Sequence, residues 1–487
     1  METRNVRSLR RTQANAISPR INSNRRMGEF MEKPKRKNLN SSWVSNCAAS
    51  FLMMVGFTYE SQALAWMGYG DLDLSFGQTG MVGIDFGGQD GEVFGLGLQR
   101  DGRIVLVGSG RPSSNRLVDF ALMRLQPNGS LDMSFGVGGK VGTSFTEYYG
   151  SVAKAVAIQN DQKIVVAGYA RNIAYAHDTF ALARYDSRGQ LDPGFGIGGK
   201  VLTPIYPQTG AGVNDMANAV TVASDGKIIV AGVTGTFLSD FAVARYHADG
   251  RLDTSFGGDG TVVTDIGGQD SANAVIVQPD RKILVVGNGW TSGPDENFTL
   301  VRYNENGSLD TSFGIGGIVT TDFMGGADRA QGVALLPDGR IVVAGVGQVS
   351  GGCFPNPCER YGVAMAQYHA NGALDSSFGS GGGVLYDFVT STGVYALARR
   401  ADGKLVLGGH HGNEEFMIIL AHANGSLDES FLGTGAVLAD FGSGADRANT
   451  IMVQPDGKII AAGRASDGLG SMFGVMRLEA PPLGANP

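Results

Sequence analysis

The phrase Leu-Asp-x-Ser-Phe-Gly, or a close variant, begins at Leu72, Leu131, Leu191, Leu252, Leu309, Leu374 and Leu427, with spacings of 59, 60, 61, 57, 65 and 53 residues. No other feature limits the fold as strongly. A unit of this length, repeated seven times and holding several short strands, predicts a stacked or radial β architecture instead of a string of separate domains. A chain of 487 residues then reads as one repeat body plus a leader.

Within each unit the run Arg340-Ile-Val-Val-Ala-Gly345 recurs as RIVLVG, KIVVAG, KIIVAG, KILVVG, KLVLGG and KIIAAG. Consecutive β-branched and apolar residues predict a strand covered on both faces. An Asp-Gly turn precedes it in five copies, as in Pro337-Asp-Gly, with Asp161-Gln162 and Asp280-Arg281 in the other two. The strand entering that turn is the run at Val333 to Leu336 and its counterparts. A third strand follows in phrases like Phe180-Ala-Leu-Ala-Arg-Tyr185, and an Asn/Asp-Gly turn then leads into the Leu-Asp phrase. A fourth strand runs through Val141, Val201, Val262 and Val319. Gly in these turns supplies the positive φ they need, which accounts for 75 glycines in the chain. The expected fold is an all-β, seven-bladed β-propeller of four-stranded repeats. Because the repeats start with a fourth strand (Met81 to Phe86) and end with a third (Phe473 to Leu478), the two ends are expected to share the last blade and remove an open sheet edge.

The phrase keeps its Asp in all seven copies: Asp73, Asp132, Asp192, Asp253, Asp310, Asp375 and Asp428. The Arg of strand three gives way to Gln367 and Leu420 in two copies. An Asp retained without that Arg is assigned to capping backbone N–H groups. The adjacent Phe, from Phe76 to Phe431, is read as a wedge between blades.

These residues resemble the delta-60 repeat family of bacterial exported and surface proteins. The match to LDxSFGxxGxV…AxAVxxQxDGKIVVAG…FALARYxxxG spans roughly residues 70 to 480. The resemblance implies a propeller-like body outside the cytoplasm and brings no established activity and no catalytic residues. Pro193-Gly194 in the third copy and Leu432 in the seventh depart from the pattern.

Residues 1–65 hold 11 Lys+Arg and 4 Asp+Glu, leaving 28 basic against 42 acidic residues in the remainder. An acidic body of this kind lacks the basic stripe that nucleic acid demands. The basic clusters, the apolar Ala48 to Phe57 and the closing Ser61-Gln-Ala-Leu-Ala65 have the order of a secretory signal, too short to span a bilayer comfortably, with cleavage expected after Ala65. Residues 66–480 are then the repeat body and 481–487 a tail. Secretion to the periplasm, the medium or the cell surface is expected, with no transmembrane segment in the mature chain, which is expected to be a monomer.

The chain has no Gly-x-Ser-x-Gly, His-Glu-x-x-His, Cys-x-x-Cys or P-loop, so no catalytic residue is assigned. His410, His411, Glu414 and Glu415 have the chemistry of metal ligands on a variable loop, although a solvated loop is the preferred reading. Asp85, Asp265, Asp322, Asp387 and Asp440 end the fourth strands, and Asp90, Asp270, Asp328 and Asp446 follow in the loops. They suit Ca²⁺ in type but lack its loop spacing, so caps are preferred, and no cofactor is expected. Cys353 and Cys358 lie in an insertion, Gln348 to Glu359, and are expected to bridge each other in an oxidising compartment.

The turns between strands one and two and between three and four share one face of the disc. The opposite face carries loops of differing length and chemistry: Arg111 to Val118, Tyr169 to Thr179, Pro204 to Met216, Trp290 to Glu296, Gln348 to Glu359 and His410 to Glu415. A protein or glycan partner is expected there, with Tyr148, Tyr149, Trp290, His410 and His411 as first candidates. A binding or surface-interaction module is preferred; an exported lyase or hydrolase acting on glycans at the channel mouth is the alternative.

Overall fold

The computed structural model describes residues 70–86, 91–110, 119–145, 150–172, 177–205, 212–290, 295–349, 360–388, 390–412, 415–442, 444–468 and 470–479, together with the backbone of Asn24–Arg26. Tyr148, Tyr149, Asp90, Glu414, the expected Cys353 and Cys358 bridge, most of the leader, and the variable loops over 111–118, 206–211, 291–294 and 350–359 lie outside the described residues. Among the described residues there is no helix, and so none long and apolar enough to cross a membrane.

Seven antiparallel sheets of four strands each surround a central axis. Blade one consists of Glu92–Leu98, Ile104–Gly110, Asp119–Leu125 and Lys140–Thr143, and blades two to six repeat that order. The inner strands are Glu92–Leu98, Ser151–Ile158, Met216–Val222, Ser271–Val277, Asp328–Leu335, Thr392–Arg399 and Arg447–Val453, and each lies against the next around the ring. In blade seven the outer strand is Met81–Ile84, which pairs antiparallel with Ser471–Leu478, so the two ends close the ring as the repeat order predicts. The backbone of Asn24–Arg26 runs parallel to Gly383–Asp387 at the outer edge of blade five.

Each blade-to-blade interface has its own apolar cluster. Val105, Val107 and Leu122 of blade one, for instance, pack with Ile164, Val166 and Tyr185 of blade two. This is why the second strand is apolar at consecutive positions: its two faces serve different neighbours. The third-strand tyrosines add one bond per interface in four blades. Tyr185, Tyr246, Tyr303 and Tyr368 hydroxyls lie 2.7–2.9 Å from Thr143, Thr203, Thr264 and Thr321 of the preceding blade. A hydroxyl buried this deeply needs such a partner.

The repeat phrase performs two tasks at once. In Asp253, Oδ1 accepts the Ser255 N–H at 3.1 Å and its hydroxyl at 2.6 Å, the cap expected from the sequence. Its Oδ2 faces Arg245 Nε at 2.9 Å and Lys227 Nζ at 3.1 Å. Losing the third-strand Arg therefore does not remove the ion pair, contrary to the inference from Gln367 and Leu420. The cation that begins strand two takes over, Arg340 to Asp375 at 3.0 Å and Lys404 to Asp428 at 2.7 Å. The Phe rings are buried, as wedges should be. Phe256 lies beneath the Arg245 guanidinium, 4.9 Å from its centroid, and against Gly307 of the next blade, where a Cβ would approach the ring to 3.0 Å. Gly257 N–H then donates to the Asn306 carbonyl of that next turn at 3.0 Å.

Candidate functional site

Every inner strand carries a one-residue bulge against strand two: between Val93 and Gly95, Ala153 and Ala155, Ala217 and Ala219, Ala272 and Ala274, Ala330 and Gly332, Val394 and Ala396, and Ala448 and Thr450. A bulge leaves one residue out of the ladder and re-aims its side chain. The extra residues are Phe94, Lys154, Asn218, Asn273, Gln331, Tyr395 and Asn449, and all seven line one cavity of about 490 Å³ on the channel axis.

The cause of the bulge is visible in strand two. Its closing Gly, as in Gly168, Gly232 and Gly287, stands so close to the inner strand that a Cβ would lie 1.8–2.0 Å from the Val152, Met216 and Ser271 carbonyl oxygens. Only glycine admits that approach. A glycine recurring at the end of the apolar run of strand two was thus the available signal for the ring, together with the variable residue between two small ones in the inner strand, as in Ala272-Asn273-Ala274. The sequence reading missed both.

Glu92 and Ser271, which also line the cavity, are the first residues of their inner strands, where the chain arrives from the variable-loop face. Three bulge amides tie neighbouring blades together. Nδ2 of Asn218, Asn273 and Asn449 donates to the carbonyls of Ala272, Ala330 and Val93 at 2.8–3.0 Å. Glu92 Oε1 accepts from Arg447 Nη2 at 2.6 Å and from Asn449 Nδ2 at 2.8 Å. The Lys154 ammonium sits 3.9 Å from the Phe94 ring centroid. Burial pushes the Lys154 pKa down, with Glu92 opposing and Arg447 reinforcing that shift. Burial raises the Tyr395 hydroxyl, against the pull of Arg447.

Of the residues singled out from the sequence, His410 reaches this wall. Its ring stacks on Tyr395 with centroids 5.6 Å apart, and burial lowers its pKa. His411 is its strand neighbour and so faces the other way; it meets Glu415 at 3.5 Å and Thr390 at 2.8 Å. The histidines and Glu415 do not form a three-ligand group among the described residues. Trp290 packs over Gly267 and Gly268, and its backbone N–H donates to Asp270 Oδ1 at 3.2 Å. Two loops are shorter than expected, because the strands continue: Arg171 faces Asp178 across the hairpin at 2.9 Å, and His411 pairs with Glu415.

The loop aspartates are clamps. Oδ2 of Asp215, Asp270, Asp328 and Asp446 accepts the N–H of Ile205, Ile266, Phe323 and Phe441 at 2.7–2.8 Å. Burial pushes Asp270 and Asp446 up to about 6 and Asp328 to about 8. Asp240, Asp265 and Asp270 bring carboxylate oxygens within 4.8 Å of one another, but both oxygens of Asp270 already accept backbone N–H groups.

Five segments, 99–135, 159–195, 223–256, 278–313 and 454–480, match the family described as "Domain of unknown function (DUF5122) beta-propeller". The repeats are thus those of a β-propeller repeat family. No curated protein matches the chain. Among solved structures, an inactive variant of virginiamycin B lyase from Staphylococcus aureus with quinupristin is similar at 10% identity and a TM-score of 0.45, covering 81% of this chain and 98% of its own. A protein of unknown function from Dyadobacter fermentans is similar at 11% identity and a TM-score of 0.40, covering 82% and 98%. An α-L-arabinofuranosidase from Fusarium graminearum with an iminosugar inhibitor stands at 8% identity and 0.43, covering 80% and 93%.

Proposed function

We propose that the protein is an exported propeller of the delta-60 repeat type that binds a small, hydroxyl-rich ligand of glycan class at its channel mouth. One observation carries this reading: all seven blades place their bulge residue in a single cavity, and those residues are amides, aromatic rings and an ammonium. A volume of about 490 Å³ is of the order of small-molecule pockets, which run roughly from 300 to 1,000 Å³. Planar amides and ring faces are the groups that take hydroxyls and the C–H faces of sugars. Export is supported by the basic, apolar and small-x-small order of residues 1–65, and intact-mass analysis of the secreted protein should find a chain beginning at Trp66.

The test is a glycan-array screen of the full body alongside an Asn449→Ala, Tyr395→Ala double variant. Retention of glycans that the folded double variant fails to retain supports the reading. Retention unchanged by the double variant, or none at all, overturns it. Turnover of a retained glycan that also requires the ring would establish the lyase or hydrolase alternative in its place.

A further inference from the structure

Glu92 and Lys154 line the same cavity but differ in how their charge is answered. The Glu92 carboxylate is enclosed by Arg447 and Asn449 at 2.6–2.8 Å. Among the described residues the Lys154 ammonium makes no ion pair and rests on the Phe94 ring at 3.9 Å. Glu92 favours the Lys154 charge only through space, since its carboxylate is held by Arg447 and Asn449, and the ring quadrupole offsets only part of the cost of withdrawing an ammonium from water. With Lys154 and Arg447 against Glu92, the lining carries one positive charge in excess. The same wall offers hydrogen-bond acceptors. Asn218 and Asn449 donate through Nδ2 to backbone carbonyls, and neither Oδ1 takes part in a protein hydrogen bond among the described residues. Gln331 brings a further amide.

Resting on the reading of the channel mouth as a ligand site, we propose that its ligand is an acidic sugar: its carboxylate pairs with Lys154, its hydroxyls donate to the amide oxygens of Asn218 and Asn449, and its C–H face lies on Tyr395 or Phe94. The cation that makes no ion-pair contact among the described residues selects for a carboxylate, and the open amide oxygens select for a hydroxyl-bearing frame around it. This singles out a uronate over a neutral hexose of the same shape.

Calorimetric titration of galacturonate, methyl galacturonate ester and galactose into the full-length protein tests this. The ester keeps the shape and hydroxyls of the acid and removes only its charge, so that comparison needs no variant. Galacturonate should bind at least about ten-fold more tightly than the ester or galactose, the order expected for a charge-assisted hydrogen bond. Lys154→Met should reduce the acid's affinity about ten-fold or more and so abolish its advantage over the ester and galactose, with the fold verified by thermal unfolding. Equal binding of acid and ester, or an acid affinity indifferent to Lys154→Met in a folded protein, overturns the inference. Neutral sugars bound through Asn449 and Tyr395 would sink the acidic specificity and leave the channel site standing. Acid binding unaffected by both Lys154→Met and the ring double variant would sink the site itself.

Discussion

On the turn side of the disc the same carboxylate, cation and phenyl ring recur from blade to blade, with a capping hydroxyl in all copies but the third, whereas at the channel the seven equivalent positions hold Phe94, Lys154, Asn218, Asn273, Gln331, Tyr395 and Asn449. Both regions are built by the repeat, but they use it differently. On the turn side the side chain itself is needed, since Asp253 must cap one residue and hold two cations while Phe256 fills the gap beneath the next turn. At the channel the repeat fixes the backbone, through strand-two glycines such as Gly168 and Gly287, and the side chain that emerges is free to vary. A rigid backbone with unconstrained side chains is what a specific site requires.

The largest effect should come from the seam, where the turn network is assembled from two distant parts of the chain. Asp73 there meets Arg477 Nε and Lys458 Nζ, both at 2.6 Å, and Glu479 N–H donates to the Asp71 carbonyl at 2.8 Å. Deleting residues 66–90 removes the outer strand of blade seven together with that carboxylate and exposes the edge of Ser471–Leu478. Cooperative thermal unfolding should be lost or its midpoint should fall steeply. A midpoint unchanged from the intact chain would mean that the ring is held without its closing strand.

Next in size is a matched pair of truncations, one from each region. Asp253→Ala leaves Arg245 and Lys227 buried or half-buried without their carboxylate and should cost about 3–5 kcal/mol. Asn273→Ala removes the bond to the Ala330 carbonyl and should cost no more than about 1.5 kcal/mol, while weakening ligand binding. Urea unfolding of both variants gives the two costs directly. Equal costs would erase the distinction drawn between the regions.

The blades, their order and the closing strand were legible because each depends on patterns of type and spacing: apolar runs for covered strands, Asp-Gly and Asn-Gly for turns, and a partial unit at either end. The ring was not legible, because a bulge is a relation between two strands. The glycine that permits it stands in strand two, fourteen positions from the residue it redirects, as Gly287 does from Asn273, a separation that follows from the hairpin geometry. Ala-Asn-Ala in Ala272 to Ala274 reads as an alternating strand until Gly287 is placed opposite it. The second cation on the repeat Asp was hidden for a similar reason. Lys227 and Asp253 are neighbours only once strands two, three and four are side by side.

Acid and base should act on opposite regions. Although burial alone would raise it, Asp253 is held below the usual carboxylate range by Ser255, Lys227 and Arg245, so its contribution is present above the ordinary value of 3.8 and is lost as pH falls. The loop clamps behave in the opposite sense. Burial pushes Asp270 and Asp446 up to about 6 and Asp328 to about 8, so their contribution is complete below 3.8 and is lost as pH rises through those values. Stability should therefore peak near pH 4 and decline as pH rises to about 8, more steeply below about 6, where all three clamps contribute, than above it, where Asp328 alone does. Asp328→Asn, which keeps an acceptor for the Phe323 N–H, should flatten the alkaline decline and leave the acid limb alone. An unchanged slope from pH 6 to 8 would mean that Asp328 does not set the alkaline decline.

The smallest effect should appear at Leu432, where the seam relaxes a rule that the other blades obey. In six copies the residue after the wedge Phe is Gly with φ between 52° and 65°, as in Gly314 at 54°, and Leu432 adopts 51° with a side chain. Gly314 donates its N–H to the Asn371 carbonyl of the next turn, and a Cβ there would lie 2.3 Å from the Ile318 oxygen. Phe431 instead meets Gly70, at the junction of the two chain ends, in place of an Asn-Gly turn. Leu432→Gly relieves a left-handed leucine, worth about 1–2 kcal/mol, but gives back about 0.5–1 kcal/mol through the freer unfolded chain, so it should stabilise by no more than about 1.5 kcal/mol. Gly314→Leu meets both the positive φ and the carbonyl contact and should destabilise by about 2 kcal/mol or more. Unfolding midpoints of the two variants compare the seam with an uninterrupted blade at a single backbone position. Should Gly314→Leu prove as mild as the natural leucine at 432, the glycine rule would belong to the turn alone and not to the contact between blades.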